Sequence, residues 1–228
     1  RNYPARILED PNGGKLWDKP VVIMVNEFSA SASEILAAAI QDYGRGIIVG
    51  SHTTHGKGSV QQFFDLNRTL RGTGYPDLGA LKITTQKFYR IDGSTTQLKG
   101  VTPDIIWPDN YTYIPTGEKE QDNSLEWDKI ETTSYAIDNA TKSGFKRVIK
   151  ASQKRIDSNT LFNEVDRNAM RWKAQRDKHI FTLNLETYQN QVVSQKEISD
   201  NYSTLFKPYD DMGGTRHVGP HSWVLPPY

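Results

Sequence analysis

Val21-Val22-Ile23-Met24-Val25, then Asn26-Glu27-Phe28, then Ser29-Ala30-Ser31-Ala32-Ser33-Glu34-Ile35-Leu36, is the stretch that decides how this chain folds. Its first part is a short apolar run rich in β-branched residues, the signature of a buried strand. From Ser31 to about Tyr43, the residues Ile35, Leu36, Ala39 and Ile40 recur at helical spacing, and Gly44 supplies a C-terminal stop. Ser31 and Glu34 fit an S-x-x-E capping box, which makes Ser31 the N-cap. Ile47-Ile48-Val49, enclosed by Gly46 and Gly50, reads as a second short buried strand. Strand, helix and strand in that order predict an α/β core with a parallel pair joined by a right-handed crossover.

Outward from this unit, Pro11-Asn12-Gly13-Gly14 marks residues 1–19 as a loop or short hairpin. Ser59–Leu66 and Leu81–Ile91 read as further strands on either side of a Gly- and Pro-containing loop at 71–79. Asp92-Gly93-Ser94 then turns the chain into Thr96–Val101, so a hairpin is expected there. After Pro108 the character changes. Residues 124–207 are rich in Lys, Glu, Asp, Asn and Gln and read as several helices, with breaks at Gly144 and at Asp157-Ser158-Asn159. Phe181, Leu185, Tyr188 and Val192 repeat at helical spacing and predict an amphipathic face packed on the core. Residues 211–228 have no periodicity and read as a loose or extended tail, where His217 and His221 would be solvated. The expected division is a core at 1–115, a helical region at 116–210 and the tail.

The 228 residues suffice for one large domain or a core with an appendage. A net charge of +1 gives no reason to expect nucleic acid or an anionic membrane as partner. The chain lacks cysteine, which excludes disulfides and thiolate metal sites and suits an oxidising compartment without proving one. No apolar run approaches the roughly 20 residues needed to span a bilayer. The chain opens at Arg1 without Met, which is expected of a fragment.

A strand that delivers a hydroxyl residue to the first turn of a helix can build a nucleophile. The helix start offers unpaired N–H groups and partial positive charge to a developing oxyanion. Further on, Gly56-Lys57-Gly58-Ser59-Val60-Gln61 sets a lysine between glycines. A lone serine at a helix start is more often a cap, and most lysines are solvated charges. The combination says more: in an extended segment Lys57 and Gln61 face one side, and a glutamine can hold an amine in place without raising its pKa as a carboxylate does. Asp42 lies eleven residues beyond Ser31 on nearly the same helix face, but about 16 Å along the axis, and reads as a structural partner of Arg45. His52 and His55 offer a Ser/His or metal-binding alternative, with no matching carboxylate pattern to support either.

These motifs resemble the carboxyl-terminal processing peptidases, Ser/Lys proteases of the S41 type. The resemblance continues through Gln86-Lys87-Phe88-Tyr89-Arg90, Gly93-Ser94-Thr95-Thr96-Gln97, Lys99-Gly100-Val101-Thr102-Pro103-Asp104-Ile105 and Leu125-Glu126-Trp127-Asp128, and looks closest to the tail-specific branch. It implies a partial ClpP/crotonase-like β-β-α core followed by helices. It further implies Ser31 as nucleophile, Lys57 as general base, Gln61 as the residue orienting that base, and the Ala32 N–H as an oxyanion donor. No cofactor or metal is implied. A second oxyanion donor and a PDZ domain are expected upstream of residue 1, so this fragment alone is expected to be poorly active. The expected partners are proteins with unstructured C-termini and an adaptor protein, and the expected location is the periplasm. Between Gly50 and Gly56 the chain carries Ser51-His52-Thr53-Thr54-His55, one residue more than the family pattern, which bears on the placement of Lys57. An unperturbed lysine has a pKa near ~10.4, so burial is expected to lower it in such a base. Two other readings are a non-catalytic scaffold that keeps the peptidase fold and a crotonase-like acyl-CoA enzyme, which does not need the Ser31/Lys57 pair.

Overall fold

The computed structural model describes residues 9–14, 16–68, 77–137 and 139–203. The tail at 211–228, most of the 71–79 loop and residues 1–8 lie outside the described residues. Strand β1 (Val21–Val25), helix α1 (Ala32–Asp42) and strand β2 (Gly46–Gly50) form the expected parallel crossover unit, in register from Val21↔Gly46 to Val25↔Gly50. A short strand β5 (Ile105–Ile106) adds to the far side of β2, giving the order β1-β2-β5. Strands β3 (Ser59–Asp65) and β4 (Ala80–Lys87) make a separate antiparallel ribbon. Three long helices follow: α2 (Asn139–Asp157), α3 (Thr160–Arg176) and α4 (Leu185–Ser203). The architecture is mixed α/β with a helical C-terminal region.

Strand β2 is buried throughout, because the sheet is covered on both faces. On one face Val25, Ala37, Ala38, Ile48 and Val101 form a core with Ile23 and Ile40 against it. On the other, Ile47, Val49 and Ile105 meet Trp107 together with Phe145, Ile149 and Ile156 of α2. Trp107 also stacks on Phe162 of α3, which joins the helical region to the sheet.

Several expectations need correction. Thr96–Val101 forms no hairpin, and its hydrogen bonds serve neighbouring loops: Leu98 N–H donates to the Gly56 carbonyl and Thr54 N–H to that of Val101. Gly144 does not break a helix but lies inside α2, whereas Asp157-Ser158-Asn159 does separate α2 from α3, with the Asn159 side chain capping α3. Phe181, Leu185, Tyr188 and Val192 are not packed on the core. Phe181 precedes α4, all four are exposed, and α4 buries no residue. Asp42 pairs with Arg90 rather than Arg45, whose guanidinium donates to the carbonyls of Trp17 and Lys19. Burial acts to lower the Arg90 pKa, but the hydrogen bonds and charge of Asp42, with the charges of Asp92 and Asp104, outweigh it and raise the value.

Candidate active site

A turn of short hydrogen bonds carries the chain from β1 into α1. Asn26 accepts from the Phe28 N–H at its side chain (3.1 Å) and from the Ser29 N–H at its carbonyl (2.9 Å), and the Ser29 hydroxyl returns a bond to the Asn26 side chain (3.2 Å). Ser31 follows at φ 55° and ψ −110°, a backbone region that residues with a Cβ rarely occupy. Such a residue costs about 1–3 kcal/mol and persists where its surroundings over-determine it. The Ser31 carbonyl accepts the N–H groups of Glu34 (2.9 Å) and Ile35 (3.0 Å), which starts the helix. Ala32 is the first helical residue, so its N–H has no acceptor within the helix.

Lys57 stands just before β3. Gly56 has φ 90°, and a Cβ on Gly58 would lie 2.3 Å from the Thr95 Oγ1, so both flanking positions require glycine. The half-buried Lys57 donates from Nζ to Gln61 Oε1 at 2.8 Å across a bulge at Val60/Gln61. Among the described residues no carboxylate pairs with this amine. The longer loop before it is held along most of its length. Thr53 bonds the Lys99 carbonyl (2.7 Å), Thr54 accepts from the Val101 N–H (2.8 Å), and the His55 N–H donates to the Ser29 carbonyl (3.0 Å). His52 is exposed, and His55 faces Glu118 at 3.5 Å. Among the described residues, no three of His, Cys, Asp and Glu are grouped to hold a metal ion.

Glu34 is the site residue that sequence reasoning gave too small a role. Fully buried, it accepts the Ser31 N–H (2.8 Å) and the Lys57 N–H (2.9 Å) on one oxygen. Its other oxygen accepts the Gly56 N–H (2.7 Å) and the Thr54 hydroxyl (2.5 Å). A single carboxylate thus fixes the backbone of the helix start against that of the lysine loop. The structure therefore brings the backbones of Ser31 and Lys57 onto one carboxylate oxygen, with Ala32 next to Ser31 in the chain and Gln61 joined through the Lys57 amine. The capping-box pattern pointed to the first of these bonds; the other three come from residues distant in sequence.

Beside the turn, Glu27, Ser51 and Asp109 close the ends of β1, β2 and β5, with the Ser51 hydroxyl donating to the Asp109 carboxylate. Burial raises the Glu27 pKa, and the Asp109 charge adds to this against opposing hydrogen bonds from backbone and Ser51. A carboxyl with a raised folded-state pKa binds its proton more tightly folded than unfolded. Glu27 therefore lowers stability progressively as pH rises from the ordinary carboxyl range through the raised value, and the loss is complete above it. Glu27→Gln should remove that slope, so its Tm advantage over wild type grows between pH 4.5 and pH 7.5. A constant difference across that range overturns the assignment.

Two family models match the chain: peptidase family S41 over residues 2–107, and the C-terminal domain of tail specific protease over residues 111–211. The tail-specific protease of Haemophilus influenzae is 48% identical over 130 residues, which cover 57% of this chain and 18% of that protein. A carboxy-terminal-processing protease of Bartonella bacilliformis is 42% identical over 98 residues, covering 42% of this chain and 20% of the relative. The carboxy-terminal processing protease CtpA of Bacillus subtilis is 26% identical over 199 residues, 85% of this chain and 38% of its own length. The chain thus spans a minor part of the curated relatives it matches. Its residues 2–107 belong to peptidase family S41, and residues 111–211 to the family of the C-terminal domain of tail specific protease.

Proposed function

We propose that this chain carries the nucleophile and the base of a serine endopeptidase that cleaves proteins near their C-termini. The observation that supports this most is the joint hold of Glu34 on the Ser31 and Lys57 backbones, together with the Lys57–Gln61 hydrogen bond. In this reading Ser31 Oγ attacks the scissile carbonyl while the Lys57 amine takes its proton, and Lys57 then returns that proton to the leaving amine. Water enters on the same base, deacylates Ser31 and frees the product carboxylate. The Ala32 N–H donates to the oxyanion at the positive end of α1. Gln61 orients the amine without adding a charge that would keep it protonated.

The rest of the proposal follows from the family. Its substrates are proteins with unstructured C-termini, substrate docking falls to an upstream PDZ domain, an adaptor protein assists, and the location is the periplasm. The division near residue 115 separates the peptidase core from the helical region. Treating the complete protein with a serine-directed sulfonylating reagent and mapping the peptides tests the assignment. Ser31 should carry the label, Ser29 and Ser33 should not, and Lys57→Ala should lose it. Labelling unaffected by Lys57→Ala overturns the base, and an unlabelled, inactive protein favours the scaffold.

A further inference from the structure

The turn that presents Ser31 is strained, and Glu34 holds it from the side of the lysine loop only. Against the turn also lies a cavity of about 450 Å³, lined by Asn26, Glu27 and Ser29 of the turn and by Val165 of α3. Close packing therefore does not fix the turn against the helical region there. Across this gap runs the segment 108–114. In its middle the Tyr111 ring meets Phe28 edge-on, with centroids 5.0 Å apart and planes at 84°, and Phe28 stands three residues before Ser31. On either side of Tyr111 the segment is held to α3: Asn110 accepts from Asn168 (3.0 Å), the Tyr113 hydroxyl donates to Asp166 (3.0 Å), and the Tyr113 carbonyl accepts from Arg176 (2.8 Å). Asn168 is itself buried and receives two further bonds from Arg171.

The segment is stiff within itself. Asp109 accepts the Tyr111 N–H at 2.7 Å, and the Ile114 N–H donates to the Tyr111 carbonyl at 2.8 Å. The Ser51 hydroxyl ties Asp109 back to the end of β2. A short, internally bonded segment anchored to a helix on both sides of Tyr111, with that ring held against Phe28, can transmit position, not merely fill space.

We propose that residues 108–114 are a strut through which α3 sets the position of the Ser31 turn, with Tyr111 a positioning residue for the peptidase reaction. This rests on Ser31 being the nucleophile. The strut acts on the chemical step, because a displacement of about 1 Å of a reacting group can cost on the order of 10²-fold, whereas substrate docking falls to the upstream domain proposed above.

The test is steady-state cleavage of β-casein by the complete protein. Tyr111→Ala should lower kcat by about tenfold to a hundredfold, within that same positioning range, with little change in KM. Tyr111→Phe keeps the ring and should restore wild-type kcat. Phe28→Ala should lower kcat similarly in the wild-type background and add little once Tyr111 is alanine, since both act through one contact. Should Tyr111→Ala fail to fold, Tyr111→Leu keeps apolar volume without the edge-on ring and is read in its place. Wild-type kcat in the alanine or leucine variant overturns the strut, as does a loss shared by Tyr111→Phe or losses that add in full. Ser31→Ala is measured alongside: an active Ser31→Ala protein overturns the nucleophile reading itself, whereas an inactive one beside a fully active Tyr111→Ala overturns only the strut.

Discussion

Ser31→Ala and Lys57→Ala, each made in the complete protein, should reduce cleavage of an unstructured substrate by at least about 10⁴-fold, the scale on which nucleophile and base operate together. Ser29→Ala and Ser33→Ala should retain substantial activity. The reasons are geometric. The Ser29 hydroxyl is committed to Asn26 within its own turn, and Ser33 is exposed one residue into α1. Ser31 alone stands at the junction where the helix begins. Lys57→Arg should be as inactive as Lys57→Ala, because a guanidinium cannot release its proton at any working pH. Neither Lys57 variant should lower the melting temperature by more than a few degrees, since the amine bonds a neutral, exposed glutamine rather than a buried carboxylate. An inactive Ser33→Ala beside an active Ser31→Ala moves the nucleophile and overturns the assignment.

Glu34→Ala should unfold or nearly unfold the site. It leaves the N–H groups of Ser31, Gly56 and Lys57 and the Thr54 hydroxyl without their acceptor in a buried place. Each orphaned buried donor costs about 1–3 kcal/mol, and these costs do not add fully. A loss of roughly 3 kcal/mol or more is expected, which lowers Tm by about 6–12 °C in a chain of this size. Glu34→Gln keeps the shape but turns an amide NH₂ toward groups that themselves donate, so it should recover only part of the loss. Activity should fall in both, since the backbones of Ser31 and Lys57 are no longer held by one group. Thermal melts and β-casein cleavage decide it: a Glu34→Ala protein with wild-type Tm and rate overturns the bridging role.

The parts of this fold that were legible in the sequence are those written by local period. Strand β1, helix α1 and strand β2 announce themselves because their apolar positions repeat at the spacing of the element they form. The Lys57–Gln61 contact was also legible, although a bulge intervenes between them. Thr96–Val101 misled because β-branched threonines favour strands, yet here Thr95, Thr96 and Gln97 are buried to hydrogen-bond loops. Gly144 misled in the opposite sense. A glycine inside a helix costs only about 1 kcal/mol, and the packing of Phe145, Ile149 and Ile156 on the sheet outweighs it. In Glu34 the capping role is a pattern of neighbours, whereas its bonds to residues 54, 56 and 57 arise only once β2 has carried the chain back. The backbone angle of Ser31 leaves no trace in the sequence, because serine is common at ordinary caps.

That angle bears on how such a chain changes over generations. At φ 55° the backbone of residue 31 favours glycine, and a serine codon AGC or AGT reaches glycine by one transition. The same step removes the hydroxyl that the proposed mechanism uses and relaxes the strain, so under that proposal the inactive descendant is the sturdier protein. On the proposed mechanism, a lineage released from selection on turnover drifts downhill toward a folded, silent relative, and only continued demand for cleavage keeps the serine in place.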